Sequence, residues 1–348
     1  MVVGMEPDEI DVRLINECAG ILKGGGTVAF PTETVYGLGA NALDPMAVKK
    51  IFEAKGRPSD NPLIVHVAKK EEIVPLVKEI PEKALTVMEK FWPGPLTIIF
   101  EKSDMIPNEI SAGLSTVAIR MPSHPIAIKL IEEAGLPIAA PSANISGRPS
   151  PTKAEHVMED LIGKVDAIIA GGDCNVGVES TVLDMTGHIP MILRPGGVTK
   201  EMLEMVLGEV IIDPAVEDPE GVQDTPKAPG MKYTHYAPKA DVIIINGSLD
   251  KAARKIKELK VHYEDEGKQV GIICTDETRG EYHGDHVKSM GSRKYPKTIA
   301  ANLFKVLREF DGTDVDIILS EAVDAIEIGQ AIMNRLKKAA GYRIVETE

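Results

Sequence analysis

Between Asp11 and Leu22, apolar residues fall at Val12, Ile15, Ile21 and Leu22. That spacing predicts an amphipathic helix, which Gly24, Gly25 and Gly26 end. The apolar run Thr27-Val28-Ala29-Phe30 then reads as a buried strand. Further along, the pattern predicts helices over residues 47–54, 83–91 and 126–134. Strands are predicted at 63–67, 96–100, 116–120, 167–170, 180–184 and 189–194, with a short one at 137–140 running into Pro141. Strands and helices alternate without strict regularity, so residues 1–212 are expected to form an α/β domain on a mixed sheet.

Residues 213–240 break the pattern. Five prolines, two glycines and several acids prevent regular structure there, and the segment reads as a linker. Its Tyr233 and Tyr236 are unusual for a pure spacer, since aromatic side chains seek a surface. The linker is therefore expected to cover the mouth of the first domain. Residues 241–348 resume with strands at 241–246, 270–275 and 316–319 and helices at 249–259, 299–310 and 329–340. The order βαβαβα implies a small, Rossmann-like parallel α/β domain.

Composition narrows the partners. A formal net charge of -14 disfavours bulk binding to a phosphate backbone, and an aromatic content of 4% argues against a stacking platform for single strands. Any anionic ligand must meet a local basic cluster. Cys18, Cys174 and Cys274 are odd in number and far apart, which suggests neither a thiolate metal site nor a disulfide framework. The acidic start MVVGMEPDEI lacks a signal pattern, and no apolar run is long enough to span a bilayer, so the chain reads as cytoplasmic, with no membrane partner.

Candidate chemistry lies at strand ends, where open α/β sheets place ligands. Pro31-Thr32-Glu33-Thr34-Val35-Tyr36-Gly37 follows a buried strand; it is a site loop or a hydroxyl-capped turn. In Lys55-Gly56-Arg57-Pro58, followed by Asn61-Pro62-Leu63, two cations flank a glycine. They suit a polyphosphate, Arg by its planar fork and Lys as a point charge; the alternative is a solvated basic turn. Ala139 to Asn144 and Ser146 to Thr152 supply small residues and hydroxyls for a nucleotide wall, or for a plain loop. Thr116, Arg120, Ser180, Thr181 and Arg194 lie on strand ends. An Arg closing an apolar strand is rare unless paired, either with a ligand or with an internal acid.

PTETVYGLG, KGRP with PL three residues on, PGPLT at 93–97, PSANISG and RPG stand in the order found in the YrdC-domain family. The chain resembles that family's long, two-domain threonylcarbamoyl-AMP synthase form, including the linker stretch PGMKYTHYAP. The resemblance implies a YrdC-like twisted mixed sheet with helices. It also implies synthesis of threonylcarbamoyl-AMP and pyrophosphate from L-threonine, bicarbonate and ATP, for N6-threonylcarbamoyladenosine at tRNA position 37. By matching motif, threonine would meet Thr34, His66, Arg120, Ala140 and Ser180. ATP would meet Lys55, Arg57, Asn61, Thr116, Ser142, Asn144, Ser150, Arg194 and Tyr233. Lys55 and Arg57 would be the catalytic cations, offsetting charge in the transition state. No motif for a fixed metal is present; Mg2+ would arrive with ATP. The product would pass to downstream threonylcarbamoyl transferase machinery, with tRNA engaged at most indirectly. The rival readings are an RNA-binding or ribosome-assembly factor, disfavoured by the charge, and carbamoyl transfer in hydrogenase maturation, whose accompanying segments are lacking.

Overall fold

Asp11 begins the first helix in a way its side chain explains: Oδ1 accepts from the backbone N–H groups of Arg13 and Leu14 at 2.9 and 3.3 Å. This cap satisfies donors that a helix start otherwise leaves orphaned. A computed structural model describes residues 1–216 and 236–347 of the chain.

Strands of the first unit are β1 (Val2–Gly4), β2 (Val28–Phe30), β3 (Gly37–Asn41), β4 (Ile64–His66), β5 (Leu96–Glu101), β6 (Thr116–Arg120), β7 (Ile138–Ala139), β8 (Ala167–Ala170), β9 (Thr181–Asp184), β10 (Met191–Arg194) and β11 (Ile211–Ile212). Its helices are α1 (Val12–Lys23), α2 (Pro45–Lys55), α3 (Glu82–Phe91), α4 (Asn108–Ser111), α5 (Pro125–Ala134), α6 (Ala154–Leu161) and α7 (Lys200–Leu207). The strands form one mixed sheet in the order β1-β8-β2-β3-β7-β4-β6-β5-β9-β10-β11.

Alternation along each strand sorts side chains onto two faces. Val65, Ile98, Val117, Ile119, Leu183 and Ile192 point into the main core, which includes residues of α2 and α3. On the opposite face, α1 and α5 cover one end of the sheet through Ile15, Leu22, Ile126 and Leu130. The other end carries a small cluster of Ile64, Ile99, Ala118, Val182 and Leu193. Among the described residues no α-helix contributes to that cluster; Met191 and Ala215 pack against it instead.

Several elements escaped the hydrophobic pattern. β3 is Gly-Leu-Gly-Ala-Asn, too rich in glycine to read as a strand, and it pairs antiparallel with β2 and β7. β1 is three residues long and reaches the sheet only by pairing with β8. α6 and α7 were also absent from the expectation.

The second unit also takes in residues 147–149. Its parallel sheet has five strands among the described residues, in the order β14-β13-β15-β12-β16. They are β12 (Asp241–Asn246), β13 (Val270–Cys274), β14 (Val287–Ser289), β15 (Ile317–Glu321) and β16 (Ile344–Glu346). The helices are α8 (Leu249–Asp265), α9 (Pro296–Phe310) and α10 (Ile328–Ala339). The expected βαβαβα order is therefore incomplete: β14 and β16 are added, each of three residues and each lying at a sheet edge. α8 runs six residues beyond the predicted Leu259, through a mostly polar stretch in which Tyr263 still packs against the core.

Candidate active site

Arg120 ends β6 on the same face as Ala118 and so stands beside this buried cluster. It is 4% exposed, which for a guanidinium demands partners. Its Nη1 donates to Thr34 Oγ1 at 2.9 Å, and its Nε donates to Gly94 O at 3.3 Å. Its Nη2 lies 2.7 Å from Glu33 Oε1.

Sheet register gathers the rest of the expected threonine set around it. His66 on β4 is the parallel partner of Arg120, and Thr97 on β5 is its antiparallel partner. Thr97 Oγ1 contacts Ser180 Oγ at 2.7 Å. Arg194 then donates from Nε to Ser180 O at 3.1 Å and from Nη2 to Ser180 Oγ at 3.2 Å. Ala140 joins through its N–H, which donates to Ile64 O at 2.9 Å. Thr34, His66, Arg120, Ala140 and Ser180 are thus contiguous and buried.

Glycine makes one of these contacts possible. A Cβ on Gly196 would sit 2.3 Å from the backbone nitrogen of Thr181, so only glycine lets the Arg-Pro-Gly turn lie against the Ser180 backbone.

His66 Nδ1 is 3.2 Å from Ile64 O, which fixes the donor on that nitrogen. Burial, and then the Arg120 charge, hold this imidazole down to about 3, so it is neutral at physiological pH. His124 is also lowered, first by burial, with Glu33 pulling the other way. Burial raises the Cys174 thiol far above its ordinary range, so it carries no thiolate chemistry.

The expected nucleotide residues form two groups. Lys55 is 2% exposed, which removes the solvated-turn alternative. Its Nζ donates to Ser142 O at 2.5 Å, to Asn144 O at 2.6 Å and towards Asn144 Oδ1 at 3.4 Å. Ser142 Oγ in turn donates to Asn144 Oδ1 at 2.5 Å. Lys55 therefore holds the Ser142–Asn144 turn in shape. Arg57 is half-buried after the left-handed Gly56 (φ 59) and donates to Pro62 O at 3.3 Å and Asn61 O at 3.5 Å. Asn61 is 1% exposed, and its Oδ1 has no hydrogen-bond partner among the described residues, as suits an acceptor awaiting a ligand N–H.

Thr116 starts β6 while Arg120 ends it, so the two stand about 13 Å apart on the same face at roughly 3.3 Å per residue. Ser150 donates to Glu179 Oε1 at 2.5 Å, beside Ser180 in the chain. Tyr233 lies outside the described residues. The threonines of the Pro31–Gly37 loop serve both readings of it. Thr32 Oγ1 donates to Val35 O at 2.6 Å and fastens the turn, while Thr34 faces Arg120.

Glu33, Thr97 and Glu179 were not among the expected site residues. Glu33 and Thr97 stand inside the PTETVYGLG and PGPLT motifs, and the motif itself was the available signal. No group of His, Cys, Asp and Glu able to hold a metal occurs among the described residues. No helix there is long and apolar enough to cross a membrane.

Residues 20–196 match the Sua5/YciO/YrdC family model, described as telomere recombination. Residues 198–341 match the model of the threonylcarbamoyl-AMP synthase C-terminal domain. The chain is 55% identical over 339 residues to the threonylcarbamoyl-AMP synthase of Pyrococcus abyssi, covering 97% of each. It is 52% identical to that of Bacillus subtilis, covering 95% of this chain and 94% of the relative. The crystal structure of Pyrococcus abyssi Sua5 complexed with L-threonine superposes with a TM-score of 0.95 over the whole of both chains at 53% identity. The Escherichia coli YciO structure matches 56% of this chain and 95% of its own, with a TM-score of 0.52 at 27% identity. On both its sequence and its fold, the chain belongs to the threonylcarbamoyl-AMP synthase family, in the two-domain form.

Proposed function

We propose that this chain converts L-threonine, bicarbonate and ATP into L-threonylcarbamoyl-AMP and pyrophosphate, a nucleotidyl transfer. The carrying observation is the contiguous set Thr34–Arg120–Thr97–Ser180–Arg194, joined by hydrogen bonds and by the β5–β6 register. The L-threonine complexed with Pyrococcus abyssi Sua5 supports the same reading.

In this reading Arg120 takes the threonine carboxylate by its planar fork. Neutral His66 and Ser180 line the remainder of the pocket. The threonine nitrogen forms a carbamate, whose oxygen attacks the α-phosphate of ATP while pyrophosphate departs. Charge builds on phosphorus and on the leaving group, so fixed cations and positioning carry the catalysis. Arg194 and Arg57 supply positive charge, and Lys55 keeps the Ser142–Asn144 wall in place. Asn61 Oδ1 accepts from the nucleotide. Mg2+ enters as the counter-ion of ATP, held mainly by phosphate and water. The product is a hydrolysable mixed anhydride, so a transferase acting on tRNA adenosine 37 must consume it, and cytoplasm is the expected compartment.

The test is pyrophosphate release measured with each substrate omitted in turn. Release that needs threonine, bicarbonate and ATP together is expected. Release independent of threonine would overturn the proposal.

A further inference from the structure

Glu33 and Arg120 form a buried pair that is in contact but incomplete. Their side chains are 10% and 5% exposed, and Oε1 lies 2.7 Å from Nη2. Yet neither atom has a hydrogen-bond partner among the described residues: the charges touch, but the N–H bonds of Nη2 are not aimed along the contact. Each group is otherwise well anchored. Glu33 Oε2 accepts from the Ser123 N–H at 3.1 Å, and Arg120 is held through Nε and Nη1. What remains is one orphaned donor beside one orphaned acceptor, both buried, where native proteins seldom leave either unmet.

An α-amino acid carries its ammonium and carboxylate on a single carbon. With the carboxylate on Arg120 Nη2, the ammonium comes within reach of Glu33 Oε1. Four charges then alternate around a small ring and cancel, which a low-dielectric pocket favours. We propose that Glu33 binds the α-ammonium of the amino-acid substrate and accepts the proton that this nitrogen must lose to become a nucleophile. The inference rests on the threonine pocket assigned above.

The proton balance is simple. The ammonium passes one proton to the Glu33 carboxylate, giving a neutral amine and a neutral acid. The amine's nitrogen lone pair then bonds the carbon of bicarbonate, and water leaves, giving the carbamate anion. Glu33 returns its proton to solvent between turnovers. His66, the strand partner of Arg120, is a very weak alternative base, because burial and then the charge of Arg120 hold its imidazole down. The charged or titratable groups that interact with Glu33 are Arg120, His124 and Cys174.

The experiment compares binding of L-threonine with 2,3-dihydroxybutanoate, in which a hydroxyl replaces the amine, to the full chain and to Glu33→Gln. Wild type should prefer threonine by about tenfold or more, as for a charge-assisted bond, and Glu33→Gln should lose that preference. Its kcat/KM for threonine should also rise about tenfold per pH unit towards the pKa of the amine, relative to wild type. If Glu33→Gln does not fold, Glu33→Asp keeps the charge but withdraws the oxygen, and it should lose part of the preference. Undiminished preference in the folded variant, or no relative gain with pH, overturns the role of Glu33. If wild type binds neither compound, the pocket assignment itself fails, and Arg120→Lys checks this separately by the loss of preference for threonine over its amide.

Discussion

Lowering the pH should destabilise the first domain through His66, by an amount set by its burial. The imidazole is 3% exposed and titrates at about 3 when folded, against about 6.5 when free. Between those values the unfolded chain binds a proton that the folded chain does not, so acid favours unfolding there. Each pH unit costs about 1.4 kcal/mol across a window roughly 3.5 units wide, up to about 5 kcal/mol in all. The comparison variant is His66→Asn, whose Nδ2 can stand where Nδ1 donates to Ile64 O, but which cannot titrate. Urea unfolding followed by fluorescence of Trp92, the sole tryptophan and 4% exposed in this domain's core, isolates the relevant transition. Above pH 7 the difference between the two proteins should not vary with pH. By pH 4.5 wild type should have lost about 3 kcal/mol more than His66→Asn. Parallel curves from pH 7 to 4.5 would refute the reasoning, because they would mean that folded His66 accepts a proton freely.

Further outcomes follow from the same site. Thr97→Val keeps the side-chain shape but strips Ser180 Oγ of a 2.7 Å partner; it should cost about 1–3 kcal/mol in unfolding and raise KM for threonine more than KM for ATP. Lys55→Met leaves Ser142 O and Asn144 O without this donor and should lower pyrophosphate release about 10²-fold, read in a steady-state phosphate assay coupled to pyrophosphatase. Gly196→Ala places a methyl 2.3 Å from Thr181 N and should lower both melting temperature and threonine affinity, checked by calorimetry. Valine, which matches threonine in shape but lacks the hydroxyl, should be rejected more strongly than serine, which lacks only a methyl worth about 1–3 kcal/mol; equal kcat/KM for valine and threonine would show that the hydroxyl is not read.

Much of the fold was legible because hydrophobic periodicity marks any element with one buried face. β6 falls on the expected residues 116–120, and β8 on 167–170. α1 starts one residue after its capping aspartate. The strands that escaped are short or atypical: three-residue β1, glycine-rich β3 and the edge strands β14 and β16. Their stability comes from neighbours, not from their own pattern. α8 outran its prediction because its last turns are mostly polar, with a Lys260–Glu264 pair on the surface.

For the site, the sequence by itself determined which residue types were present and that strand ends would carry them, since motifs and strand patterns are local properties. It also showed that Arg120 and Arg194 close apolar strands, where an unpaired guanidinium is costly. Only the tertiary structure decided their partners. Thr97 faces Arg120, and Thr97 touches Ser180 83 residues away, because β5 pairs with both β6 and β9 in a particular register. Lys55 proved to be a clasp on a turn almost ninety residues further on. Glu33 proved to share a buried contact with Arg120 that completes neither group. No local pattern encodes such pairings, because register and burial are set by the whole sheet at once: a one-residue slip in any strand would turn these same side chains to the other face.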